Sequence, residues 1–200
     1  MTKKLTETLE LANIQFKKIR DWMESEEISG EIEVRIIASY VLIATNHFES
    51  IIELIKLNKR ISASTLARPN YEAFLRATWL STNEYNNKVK KAIRQLSKGK
   101  DEFPTLWEMA KDIEKELGVE FYDNAPIKAF HNYTHGGSHM VARCMSEDTI
   151  APHFADEEMI GLLKGTAMNT FLTVLAFASK VGNKELADKC NFEIKQISDT

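Results

Sequence analysis

At 200 residues, with 44% apolar and 28% charged side chains, the chain is long enough to bury a substantial core and has an ordinary globular composition. Its net charge of −3 excludes a general attraction to nucleic acid or to an anionic membrane, so such a partner has to be met by a local patch. The opening Met-Thr-Lys-Lys-Leu-Thr-Glu lacks the apolar stretch of a signal peptide, and Cys144 and Cys190 form no CxxC or zinc spacing, so a cytoplasmic protein with reduced thiols is expected.

Leu5, Leu9, Ala12, Phe16, Ile19 and Met23 recur at alternating steps of four and three, the stripe of an amphipathic first helix. Ser29-Gly30 opens a second, in which Ile36, Ile37, Tyr40, Val41, Ala44, Phe48, Ile51, Ile52 and Ile55 make a broad apolar face continuing to about Asn58. A third helix is expected from Ser62 or Ser64 as N-cap to about Ser81, with Pro69 tolerated in the first turn and kinking the helix if it begins earlier. Asn86 to Lys100 reads as a short basic helix stopped by Gly99. Phe103-Pro104 leads into another ending at Gly118, and Ala125-Pro126 opens one that carries Lys128 to His135 until Gly136-Gly137 breaks it. Asp156 is the expected N-cap of a helix over about Glu157 to Lys180, apolar almost all round. Its most apolar run, Gly165 to Ser179, carries Asn169 and three threonines and falls short of the ~20 residues that span a bilayer, so no membrane partner is expected. Gly182 ends it, and Lys184 to Ile197 forms the last amphipathic helix. No alternating run argues for a strand. The expected fold is all-α: a single-domain bundle of about seven or eight helices over residues 1–200, with a core at about 30–180 and peripheral helices at 1–25 and 184–197.

Three of the five histidines lie in Lys128-Ala-Phe-His-Asn-Tyr-Thr-His-Gly-Gly-Ser-His139 at spacings of four. Histidine changes charge near neutral pH and is the commonest metal ligand. On a helix, His131 and His135 would present two imidazoles side by side. Gly136 and Gly137 permit a turn that exposes backbone N–H groups to an anion. The segment therefore suits a phosphate or carboxylate, with a helix C-cap bearing ordinary polar histidines as the alternative.

Arg68, Glu72 and Arg76 step by four beside an apolar face of Tyr71, Phe74, Leu75 and Trp79. They read either as a carboxylate-held Arg whose planar fork points at a phosphate, or as an ion-pair ladder worth ~0.3–0.5 kcal/mol per pair on a solvated face. His47, in line with Tyr40, Ile43 and Leu54, reads as a hydrogen-bonded core residue, and His153 carries no pattern. The run Lys88, Lys90, Lys91, Arg94, Lys98, Lys100 is either a solvated helix face or an RNA contact, without interleaved aromatics for base stacking. His139, His47 or Glu72 could complete a metal shell around His131 and His135. Neither Glu-x-x-His pairs nor HExxH occur, and no metal or cofactor is expected.

Ala67-Arg-Pro-Asn-Tyr-Glu-Ala73, followed downstream by Tyr133-Thr-His-Gly-Gly137, resembles a group of uncharacterised bacterial all-helical proteins with an Arg-Pro-x-x-Glu-Ala helix and a late Tyr-x-His-Gly segment. More distantly the arrangement resembles the HEPN superfamily of helical domains, many of them RNA-cleaving toxins or antiviral effectors. The likeness covers about residues 30 to 180 in layout and the two motifs in detail. The HEPN signature is an Arg, four to six intervening residues, then a His near a helix end at a dimer interface. His135 matches that histidine, while the Arg position is met by Lys128, six intervening residues upstream, or replaced by His131. Lysine neutralises a phosphate as a point charge but lacks the bidentate fork.

The resemblance implies a metal-independent ribonuclease of toxin or phage-defence biology. Its catalytic residues would be His135, His131 and Lys128, with Arg68, Glu72, Arg76, Asn132, Tyr133, Gly136 and Gly137 holding substrate. It also implies a homodimer, RNA as ligand and a neutralising protein as partner. The two apolar helices at 30–58 and 157–180, together with the Leu5-to-Met23 stripe, point to self-association as well, and Gly161 and Gly165 would let another helix approach closely, whether from a second copy or within one subunit. The alternatives are a non-catalytic helical module that binds a protein or a nucleotide and, third, a metal-binding helical bundle.

Overall fold

The computed structural model describes residues 1–28, 30–82, 87–120, 141, 144–145 and 154–199. Among them lie eight helices: α1 (Lys3–Glu24), α2 (Ile32–Lys56), α3 (Arg60–Thr65), α4 (Ala67–Thr82), α5 (Asn87–Leu96), α6 (Leu106–Leu117), α7 (Asp156–Val181) and α8 (Lys184–Ser198). No extended strand occurs among the described residues, and the fold is all-α. The expected helix opened by Ala125-Pro126 lies outside the described residues, as does the whole Lys128–His139 segment with His131, Asn132, Tyr133, His135, Gly136 and Gly137. His153 lies outside them too.

Local chemistry sets the helix ends. Thr2 caps α1, its hydroxyl accepting from the Leu5 N–H at 3.3 Å. Thr105 and Glu108 form a reciprocal capping box on α6, satisfying donors that the first turn leaves unpaired. The C-terminus of α2 closes on Asn58 at φ 56°, with Lys59 N–H on the Leu54 carbonyl at 2.7 Å and Asn58 N–H on that of Ile55 at 2.9 Å. This is a Schellman closure, and Asn is among the few non-glycine residues that tolerate the left-handed region.

Where one helix was expected from Ser62 or Ser64 to Ser81, the chain makes two, α3 and α4, broken at Leu66. The reason is Pro69. It has no N–H to offer the carbonyl four residues back, and the chain answers with a tight turn, Leu66 N–H bonding to the Ala63 carbonyl at 3.2 Å, before α4 begins. Asp156 is likewise not an N-cap but the first residue of α7. The back-bond there runs from the Ala155 N–H to Glu158 Oε2 at 2.9 Å, leaving the Asp156 carboxylate for other partners.

Two compact units divide the chain. The first comprises Met1–Ser25, Ile43–Tyr71 and the described part of Pro126–Thr170, with Leu5, Leu9, Ile19, Phe48, Ile51, Ile52, Ile55, Met159 and Leu163 in its core. On α1 the buried stripe takes in Gln15, while Phe16 is half-buried with the Arg20 guanidinium 5.9 Å from its ring centre. The second unit comprises Glu26–Leu42, Glu72–Ala125 and Phe171–Thr200, and buries Ile37, Leu75, Trp79, Val89, Met109, Ile113, Phe171, Phe177, Leu186 and Cys190. Burial pushes the Cys190 thiol up to about 12, so it is protonated and unreactive at neutral pH. Cys144 and Cys190 are both free thiols.

At 26 residues, α7 is longer than its Gly165–Ser179 run alone. Among the described helices it is the one long and apolar enough, by length and composition, to cross a membrane, and 56% of that window is buried within the protein. Thr166, Thr170 and Thr173 lie fully buried on it.

Candidate functional site

The Arg-Pro-Asn-Tyr-Glu-Ala motif opens α4, and the structure gives its polar members separate tasks. Asn70 is fully buried in the first unit. Its amide donates to the Ala44 carbonyl and to Thr170 Oγ1, both at 3.1 Å, and its Oδ1 accepts from Asn169 Nδ2 at 3.2 Å. The Thr170 hydroxyl in turn donates to the Thr166 carbonyl at 2.7 Å. A buried amide is costly unless its hydrogen-bonding capacity is met, and here three of its four positions are used. Two of the polar residues that interrupt α7, Asn169 and Thr170, are therefore partners of Asn70, which ties α2, α4 and α7 together in this unit. Sequence reasoning passed over Asn70. The available signal was an Asn on the apolar side of α4 matched by an equally misplaced Asn and threonines on α7.

In the second unit, Arg76 is the centre of a denser cluster, its side chain 17% exposed. Nη2 reaches Glu72 Oε1 at 2.9 Å and Asp101 Oδ2 at 3.0 Å, and Nη1 lies 3.4 Å from the Tyr40 hydroxyl. The guanidinium sits 4.5 Å from the Phe103 ring centre, within cation–π range. Phe103 meets Tyr40 and Trp79 edge-on, at 6.2 and 6.0 Å between centroids, and the Trp79 indole donates to Asp112 at 3.0 Å.

Two carboxylates against one guanidinium leave this cluster with a formal charge of −1. Burial raises the Asp101 carboxyl, but the Arg76 hydrogen bond, the Phe103 N–H and the guanidinium charge outweigh it and hold Asp101 below its ordinary value. Burial pushes the Tyr40 phenol up, so it remains neutral. The expected Glu72–Arg76 pair thus forms, although not on a solvated face: the terminal nitrogens meet protein groups, and the buried Nε has no partner among the described residues. Arg68, one turn before Glu72, is half-buried in the first unit.

His47 is half-buried, and desolvation lowers its pKa, so the imidazole is neutral at pH 7. Its buried Nδ1 has no hydrogen-bond partner among the described residues, a departure from the hydrogen-bonded core residue expected. No group of three or more His, Cys, Asp or Glu able to hold a metal ion occurs among the described residues. On α5 the basic run is exposed, with Lys88 3.7 Å from Asp112 and Lys91 3.1 Å from Glu102.

A third polar cluster in the first unit joins Arg60 to Asp156. Arg60 Nη2 and the Thr2 N–H both donate to the Asp156 carboxylate. Arg60 Nη1 donates to the Phe154 carbonyl at 2.6 Å and Nε to Asn58 Oδ1 at 3.1 Å. With the Thr2 N–H contributing most, the bonds from Thr2 and Arg60 and the Arg60 charge hold the Asp156 carboxyl down at about 2. The cluster fixes the starts of α1, α3 and α7 in this unit, with each of the three Arg60 nitrogens holding a protein acceptor.

These features define an all-α helical bundle whose α4 motif is built into polar packing. Residues 41–199 match the model of a family of unknown function, DUF6988, and the chain belongs to that family. No curated protein and no solved structure matches it.

Proposed function

We propose that the protein is a HEPN-like, metal-independent ribonuclease of toxin or phage-defence biology. The observation that carries this reading is the His131–His135 pair, set four residues apart and followed by Gly136-Gly137, in an all-α chain. In this reading His135 takes the proton from a ribose 2′-hydroxyl, and the oxygen attacks the adjacent phosphorus. His131 gives a proton to the departing 5′-oxygen, so a 2′,3′-cyclic phosphate and a 5′-hydroxyl are formed. Lys128 and Arg68 stabilise the pentacovalent phosphate, while Asn132, Tyr133 and the backbone at Gly136 and Gly137 position it. Two imidazoles can divide acid and base roles when their environments separate their pKa values. Glu72 and Arg76 hold α4 for this site rather than touching substrate, because both terminal nitrogens of the fork are already engaged. An RNA with 2′-hydrogen in place of every 2′-hydroxyl tests the chemistry. Resistance of that strand beside cleavage of its ribose counterpart is expected; equal cleavage of both would count against the mechanism.

A second reading, a non-catalytic helical module that binds a protein or a nucleotide, is favoured by the internal neutralisation of Arg76. The Tyr-Thr-His-Gly-Gly segment would then fix a helix end, and His135→Ala would change stability or affinity with no cleavage to lose.

Self-association as a homodimer belongs to the proposal. Leu11 and Ile14 are exposed on one side of α1. A Cβ added at Gly161 or Gly165 on α7 would meet no atom within 4 Å among the described residues, which supports a close approach by another helix there. Glycine in a helix interior costs ~0.5–1 kcal/mol against alanine, which close approach by a second copy would offset.

A further inference from the structure

We propose that α5 and the turn after it form a phosphodiester-binding stripe that engages the backbone of single-stranded RNA through Lys90, Arg94, Lys98 and Lys100. The inference deepens the ribonuclease reading and rests on it for the identity of the ligand. Residues 87 to 100 contain six cations and no carboxylate. Elsewhere the protein balances its helix faces internally, with Lys3–Glu7 and Arg20–Glu24 on α1, Lys111–Glu114 on α6 and Glu185–Lys189 on α8.

By contrast, α5 has no acid in its first turn and places Lys88 and Lys90 there, against the positive end of the helix dipole. Within α5, Lys90 and Arg94 are four residues apart, a like-charge spacing that destabilises a helix, and Lys98 follows in the turn after it. Such an arrangement opposes the helix's own stability, and a bound polyanion would supply the missing counter-charge.

The geometry separates the cations into two groups. Asp112 and Glu102 hold Lys88 and Lys91. Among the described residues no carboxylate pairs with Lys90, Arg94, Lys98 or Lys100, and all four are exposed. Val89, Ala92 and Ile93 bury the opposite face, so the cations cannot turn inward. At 1.5 Å per residue a four-residue step advances about 6 Å along the axis. Gly99, at φ 71°, lets the Lys100 N–H return to the Gln95 carbonyl at 3.0 Å, which keeps Lys98 and Lys100 at the helix end. The stretch from 87 to 100 holds no aromatic residue, so recognition is of the backbone charge and tolerant of sequence.

The test is fluorescence anisotropy of an unstructured single-stranded RNA with the full chain carrying His135→Ala, so that RNA is not consumed, with and without Lys90→Gln, Arg94→Gln and Lys98→Gln. For single strands the affinity exponent in salt is about −0.7 per phosphate neutralised, so four contacts predict about a 50-fold loss between about 50 and 200 mM salt, and one remaining contact about a threefold loss. Glutamine keeps helix propensity and removes like-charge repulsion, so the substituted chain is expected to fold, with circular dichroism as the check. Single-stranded DNA bound with the same steep salt dependence identifies the phosphodiester as the shared ligand and supports the stripe. A parent chain that does not bind RNA, or a substituted chain that keeps the steep dependence, overturns it. Wild-type protein that cleaves RNA after the stripe has failed either test leaves the ribonuclease reading standing. Salt-sensitive binding without cleavage by wild type removes that reading and leaves the stripe.

Discussion

Replacing Asn70 by alanine tests whether the buried amide organises α2, α4 and α7 in the first unit. The substitution removes two donated bonds and one accepted bond, each worth about 1 ± 0.5 kcal/mol net. Asn169 is only half-buried, so its freed amide can turn to water, and Thr170 keeps its bond to the Thr166 carbonyl. The expected loss is therefore about 2–3 kcal/mol, or about 5–10 °C in Tm for a chain of this size. Thr170→Val leaves one Asn70 N–H buried without an acceptor and costs about 1–3 kcal/mol. Because the two residues share a bond, the double variant should lose less than the sum of the singles, by about 1 kcal/mol. Urea unfolding followed by far-ultraviolet circular dichroism, compared at constant slope, measures all three. A loss below about 1 kcal/mol for Asn70→Ala, or strict additivity in the double variant, would refute the reasoning.

Arg76→Met leaves Glu72 and Asp101 near each other without their cation. Breaking a buried pair costs about 3–5 kcal/mol, and the 58% exposure of Asp101 reduces this to about 2 kcal/mol by solvent screening. Arg76→Lys should recover less than half, since an ammonium cannot bridge both carboxylates and lie flat on Phe103; a neutral urea midpoint for either variant contradicts this. Asp156 has a folded-state pKa of about 2 against an ordinary 3.8, so its stabilising bonds are fully present above about pH 4 and are lost as the pH falls through 2. Asp156→Asn should flatten the stability profile between those values, and an unchanged acid limb in denaturation across that range would argue against it. Light scattering at micromolar concentration should report twice the 22.8 kDa chain mass; a monomer mass defeats the dimer proposal and weakens the ribonuclease reading with it.

Helix existence was legible wherever one apolar stripe faced one core, as on α1 and α2, and wherever glycine closed the end, as after α5, α6 and α7. The break at Leu66 was foreshadowed by Pro69, but its position depends on which carbonyl the proline leaves unpaired. Asn70 was opaque because its partners lie on α2 and α7, 26 and 100 residues away, and periodicity on one helix carries no information about a neighbour's polar groups. The same holds for Arg76. Glu72 was visible at i−4, whereas Asp101 comes from a loop 25 residues on and changes the arginine from a solvent-facing fork into a packed hub. The basic character of α5 was plain in the sequence; that Asp112 and Glu102 claim only Lys88 and Lys91 required the structure.

The ribonuclease proposal is tested most directly by incubating RNA with wild-type and His135→Ala protein of measured metal content, each with and without EDTA. Cleavage by wild type that persists in chelator, 2′,3′-cyclic phosphate ends, and loss of cleavage in His135→Ala with the fold intact by circular dichroism are expected. Cleavage abolished by EDTA, equal cleavage by both proteins, or none by metal-free wild type would contradict it, the last result moving the protein to the non-catalytic binding module.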